Sequence, residues 1–368
     1  MDPVESNNSP DEPKPAVSEV VIHDVEAAPS FQQKATGFSF GKALLWCLLF
    51  LIITQGLPSI MLAIVIVAKF PGVDAQNWIA SDEARPYMQA VLFAVQCTVI
   101  VFSLIVLRRK LGGDWRRRIA WRLPCIEHTL LVILAVPALL IVSISLESFV
   151  VRYVPSFSKF GLPSVNQFFE STGIWPWSIA VLIIGVGPAL GEELWCRGFL
   201  GQGLSARYGK WAGLLMTSFL FGLIHLEPPQ AILAGIMGIV LHLSYIATRS
   251  IFVPILLHFL NNSLVILSIS KTGNVPIVTS LEHTFHHRPS LSVCSALLVL
   301  ISIGLILYQS RVRIWMPNGQ EAPESLYPHV EWPVATSANI PLPGPFASIE
   351  IGALIVAVGL FAAVWVGW

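Results

Sequence analysis

Apolar runs of about 20 residues recur along the chain, and a run of that length can cross a bilayer as a helix. They are read near 43–68, 87–107, 128–150, 176–200, 211–227, 229–247, 251–270 and 291–309, and a ninth, 348–368, closes the sequence. Composition agrees. Of 368 residues, 54% are hydrophobic and 12% charged, where a soluble domain carries about 25% charged residues. The expectation is an all-α polytopic membrane protein with eight helices in its core, 43–310, and room for one more transmembrane helix after it.

The flanking segments read differently. Residues 1–42 are acidic and rich in Pro and Ser, unlike the positive start of a cleavable signal peptide, and are expected to be a disordered tail. Residues 311–347 are Pro-rich and polar, which predicts a loop. No repeat of fixed period stands out. Cys47, Cys97, Cys125, Cys196 and Cys294 are odd in number and have no paired spacing, so neither a disulfide framework nor a zinc ribbon is expected. Formal net charge is zero, which gives no reason to expect nucleic acid as a partner.

Basic residues set the orientation. Arg108, Arg109, Lys110, Arg116, Arg117, Arg118 and Arg122 crowd the loop after the second run. Positive loops stay inside, so this loop and the N-terminus are predicted to be cytoplasmic. Arg207, Lys210, Arg249, Arg311 and Arg313 fall on the same side in this topology. His283, His286 and His287 fall in an outward loop, where a solvated surface accounts for them and a metal site is the alternative.

Within IAVLIIGVGPALGEELWCRGFL stand Glu192, Glu193 and Arg197. Hydrocarbon disfavours each charge by roughly 2.5–3.5 kcal/mol on insertion scales, so three charges in six residues imply either mutual pairing or chemistry. Residues four apart share a helix face, which predicts a Glu193–Arg197 pair and leaves Glu192 pointing elsewhere. Neutralisation of Arg197 by both acids is the plainer alternative. Two further helices present pairs of the same spacing: Phe221 with His225, and His258 with Asn262. A single membrane histidine is usually an interhelical hydrogen-bond partner, and His242 is read that way. Depth allows the three pairs to meet. Glu192 and His225 both lie roughly 25 Å along their helices from the turn at Arg207–Lys210, and His258 roughly 12 Å in from Arg249.

Glu-Glu-x-x-x-Arg, Phe-x-x-x-His and His-x-x-x-Asn on consecutive apolar segments resemble the CAAX prenyl protease and bacteriocin-processing (Abi) family. The resemblance spans about 176–270. It implies an eight-helix intramembrane endopeptidase in which Glu192 is the general base, Glu193 and Arg197 its supporting pair, and Phe221 part of the second motif. His225 would help hold the attacking water, and His258 with Asn262 would form the oxyanion site. One departure is Cys196 where the family commonly has Phe, with Trp195 before it, a change expected to affect packing rather than chemistry.

The implied substrate is a peptide or protein at the membrane, lipidated in some relatives. A zinc reading, with Glu192, His225 and His258 as ligands, is the alternative to a metal-free glutamate mechanism. Two other functions compete. A non-catalytic scaffold or immunity protein would use the fold without needing all these polar positions. A proton-coupled transporter would carry the acids and histidines as a relay, but calls for inverted repeats and broken helices in matching halves. Pro58, Pro137 and Pro188 interrupt spans without marking such halves.

Overall fold

The computed structural model describes residues 37–79, 81–154, 178–269, 289–313 and 348–366. Each apolar run forms a helix there: α1 Phe40–Lys69, α2 Arg85–Leu111, α3 Ile126–Tyr153, α4 Ser178–Tyr208, α5 Lys210–Leu223, α6 Pro228–Thr248, α7 Phe252–Ile269, α8 Pro289–Gln309 and α9 Ser348–Val366. Six of these, α1 to α4, α6 and α8, are long and apolar enough to cross a membrane, while α5, α7 and α9 offer shorter apolar stretches. Large side chains such as Val67 and Ile355 face outward, 75% and 67% exposed. A soluble surface avoids extensive apolar patches, but acyl chains suit them. This is an all-α, multi-pass integral membrane protein.

The expected 1–42 tail runs too far. α1 begins at Phe40, and Ser39 caps it by accepting from the Lys42 N–H. Phe38 packs against Phe199 with ring centroids 5.3 Å apart. A Cβ on Gly203 would overlap the Phe38 ring, so α4 carries a notch there that this ring fills. The Tyr208 hydroxyl accepts from the Phe40 N–H at 3.1 Å, tying the start of α1 to the end of α4. The tail before residue 37, the three loop histidines and the segment 314–347 lie outside the described residues.

Two helices are widened where proline intervenes. α1 is π-wound at Ile52–Gly56, ahead of Pro58, and α4 at Val181–Val186, ahead of Pro188. Proline lacks an N–H and its ring crowds the carbonyl four residues back, so the preceding turn opens to i→i+5 bonding. Pro137, by contrast, sits inside an unbroken α3. A third π segment, Leu194–Leu200, follows the two glutamates with no proline near it.

Small residues bring the helices close, as is usual in membranes. On α4, added Cβ atoms at Gly187 and Gly191 would press on Gln96 and Val99 of α2, each 2.6 Å away. Between α5 and α6, a Cβ on Gly222 would meet the Ala231 carbonyl oxygen, and one on Gly238 would come within 3.1 Å of Ser218 Cα. Gly209, with φ of +84°, joins α4 to α5 in a backbone conformation that favours glycine.

Hydrogen bonds gather several helix ends together. The Arg122 guanidinium donates to the Thr248 carbonyl at 2.8 Å, and the Ser250 hydroxyl donates to the Arg122 carbonyl. The Ile251 N–H reaches the Ala120 carbonyl, and the Val312 N–H the Ala247 carbonyl. His128, at the start of α3, bonds through Nε2 to Ser310 just beyond α8. The basic loop after α2, the start of α3, and the ends of α6 and α8 therefore share one end of the bundle.

Candidate active site

α4 carries both glutamates at a break in its winding. Glu193 is the last residue before the Leu194–Leu200 π segment, and Arg197 lies within that segment. The Arg197 guanidinium donates to Glu193 Oε1 at 2.8 Å, and both side chains are fully buried. Its second amino group donates to the Gly238 carbonyl at 2.8 Å. A Cβ on Gly238 would press on Ser218 and the Phe221 ring, so α6 lies close against α5 at this level.

Glu193 has a second partner. His258 Nδ1 lies 2.9 Å from the same Oε1 atom, joining α7 to α4. An ionised carboxylate only accepts, so His258 donates through Nδ1. One carboxylate oxygen thus receives bonds from two helices, while its Oε2 has none. Glu193 is more than the neutraliser of Arg197 expected from spacing: it also fixes the His258 ring.

Phe221 sits between the charged group and the imidazoles. Arg197 stacks over its ring at 4.7 Å, a cation–π contact within the usual range. The His225 and His258 rings meet it at 5.1 and 5.8 Å in T-shaped arrangements. α5 ends at Leu223, so His225 occupies the short connection to α6 rather than the helix. Its Nδ1 bonds the Phe221 carbonyl at 2.8 Å, one of the carbonyls left unpaired at a helix C-terminus. As that carbonyl only accepts, Nδ1 carries the proton and Nε2 keeps a lone pair when the ring is neutral.

Asn262 donates through Nδ2 to the Ile184 carbonyl at 3.0 Å. Ile184 precedes Pro188 by four, so an α-helical turn would leave its oxygen without a donor. Asn262 supplies one, and retains one amide hydrogen. Glu192 stands apart from these bonds, its Oε2 buried without a hydrogen-bond partner. Glu193, Arg197, Phe221, His225 and His258 are thus brought together by direct contacts, and Asn262 lies one turn beyond His258 on α7.

The local departures are packing features. Trp195 is fully buried and stacks on Phe50, centroids 5.1 Å apart, with Trp46, Phe102 and Phe199 around it. Cys196 is a buried free thiol. His242, read from sequence as an interhelical hydrogen-bond partner, packs edge-on to Tyr245 and against Gly201, and its Nδ1 has no hydrogen-bond partner.

Sequence reading missed the Gly238 and Ile184 carbonyls because backbone acceptors have no residue signature. Indirect signals existed: Ala234 and Gly238 are small residues spaced by four, and Pro188 marks the unpaired carbonyl. No group of three or more His, Cys, Asp or Glu side chains is placed to hold a metal ion among the described residues. Glu192, His225 and His258, the alternative zinc ligands, are not among such a group.

Residues 174–264 match the family model described as Rce1-like, type II CAAX prenyl endopeptidase Rce1-like. The match covers the three motifs and agrees with the resemblance read from them; at the family level it indicates a membrane protease. No curated protein and no solved structure gives a significant match.

Proposed function

We propose that this chain is an intramembrane endopeptidase that hydrolyses a peptide bond with a water activated by Glu192. The observation that carries the reading is the unequal bonding of the two adjacent glutamates. Glu193 Oε1 is committed to Arg197 and His258, whereas Glu192 Oε2 is buried with no partner. A buried polar atom without a partner is unfavourable and is common where a reacting group must stay available.

Glu192 takes the proton of the attacking water and passes it to the leaving amine. His225 Nε2, its lone pair fixed by the bond at Nδ1, accepts the other water hydrogen and orients the oxygen. The tetrahedral oxyanion accepts from the second Asn262 amide hydrogen and from His258 Nε2. For His258 to donate through both nitrogens it must be imidazolium. The site then holds two carboxylates, one guanidinium and one imidazolium, which sum to zero. An electroneutral set is what a poorly solvated cavity favours.

The site opens toward the cytoplasm in this reading. The start of α1 joins the end of α4, and basic residues crowd the same end of the bundle. By the positive-inside rule that end, and the N-terminus with it, is cytoplasmic. Eleven residues of α4 separate Arg197 from Tyr208, roughly 16 Å of helix. The substrate class is a membrane-associated peptide, lipidated in keeping with the family's name, and no metal takes part.

The test compares peptide termini in membranes of cells carrying the wild type, Glu192→Ala or His225→Ala. Termini dependent on the wild type should vanish in both variants, with protein level and insertion unchanged. In purified protein, cleavage of a peptide so identified should survive a chelator. Wild-type cleavage by Glu192→Ala sinks the assignment, and chelator loss restored by zinc sinks the metal-free mechanism.

A further inference from the structure

A cavity of about 430 Å³ opens between α3, α6 and α8, and no motif residue lines it. Its volume falls in the range of about 300–1,000 Å³ that holds small-molecule ligands. Val132, Leu257 and Gly304 are among its lining residues, and the wall is almost wholly apolar. Charge is confined to two lining residues, Lys210 and Arg311. Each lies over an aromatic ring that also lines the cavity: Lys210 Nζ is 4.7 Å from the Trp211 centroid, and the Arg311 guanidinium 4.7 Å from that of Tyr308.

Chain position puts both cations at one end. Lys210 begins α5 immediately after the α4 turn, and Arg311 follows α8 beside Val312, whose N–H bonds the Ala247 carbonyl. Trp and Tyr concentrate at the headgroup level of a bilayer, and Trp211 and Tyr308 are 60% and 58% exposed. The cavity therefore runs from a cationic, aromatic mouth at headgroup depth into an apolar body at acyl-chain depth.

We infer that this cavity binds one anionic membrane phospholipid, with an acyl chain in the apolar body and the phosphate-bearing headgroup at Lys210 and Arg311. The headgroup must supply the selectivity, because an acyl chain gains little by exchanging neighbouring lipid for an apolar protein wall. Cations near an anionic surface each favour negative lipid by a factor that compounds to roughly 30-fold for two. Gly304 keeps the body open. An added Cβ there meets nothing within 4 Å, so a larger side chain enters empty space, and replacing a mid-helix glycine favours the helix.

The experiment reconstitutes the full chain in nanodiscs with equal phosphatidylglycerol and phosphatidylcholine, then measures retained lipid by native mass spectrometry. Wild type should retain phosphatidylglycerol in preference by roughly 30-fold. Lys210→Gln with Arg311→Gln should bring the two lipids to near parity, and Gly304→Leu should lower retention of both, at an unchanged melting temperature. Equal retention of both lipids by wild type overturns the inference. So does wild-type retention by Gly304→Leu, or recovery of a peptide or second protein chain in place of lipid. None of these readouts requires cleavage, so they stand or fall apart from the protease reading.

Discussion

Truncating either of the adjacent glutamates to alanine should have opposite signatures, and the difference can be worked from their bonds. Glu193 is fully buried and accepts at 2.8 and 2.9 Å from two groups. A hydrogen bond to a charged group contributes about 1.5–3 kcal/mol, so two contribute about 3–6 kcal/mol. Breaking a buried ion pair from one side independently costs about 3–5 kcal/mol, because the remaining charge stays buried. Arg197 is that remaining charge; it is fully buried, and its Nε already lacks a partner. Glu193→Ala should therefore destabilise the fold by about 3–5 kcal/mol. Glu192→Ala removes a carboxylate oxygen that has no partner and should change stability by less than about 1 kcal/mol while abolishing cleavage. Tryptophan fluorescence during denaturation in a mild detergent measures both. A double variant, Glu193→Ala with Arg197→Met, should recover part of the loss, since contacting partners are non-additive by about 0.5–3 kcal/mol. Equal destabilisation by the two single variants would refute the division of labour, as would strict additivity in the double variant.

Other expectations are briefer. Asn262→Ala should lower kcat by about 10²–10³ with little change in KM, as for loss of one oxyanion donor, in a steady-state peptide assay. Phe221→Leu should remove the Arg197 stacking contact and cost about 0.5–2 kcal/mol in the same unfolding measurement. Gly203→Ala should drive Phe38 from its notch and destabilise by about 1–3 kcal/mol, with faster proteolysis of the chain ahead of α1.

The features legible in the sequence were those with a period or a spacing. Runs of about 20 apolar residues announce helices because bilayer thickness fixes their length. The Glu193–Arg197 pair follows from the stacking of residues four apart. The remaining features depend on tertiary contacts. Nothing in the spacing says that His258 shares Glu193 Oε1 with Arg197, since that bond joins residues 65 positions apart. His225 reads as helical because its surroundings are apolar, yet the chain turns at Leu226, where φ is +41°. Phe38 and Gly203 gave no signal alone, because a notch and its occupant are defined only together.

The Leu194–Leu200 π segment has a consequence for how the chain tolerates length change. Its i→i+5 bonding holds one residue more than an α-helical turn would. Upstream lie the glutamates, and downstream Gly201 faces His242 while Gly203 faces Phe38. Deleting one residue within the segment would let α4 rewind as a regular helix through about the same total rotation, so the part of α4 after it would keep its facing relative to the glutamates. The same deletion in the regular part of α4 just before Gly201 would instead rotate Gly201 and Gly203 by about 100°, away from the rings they face. The segment therefore absorbs a surplus residue between the glutamate-bearing half of α4 and the half that packs against Phe38 and His242.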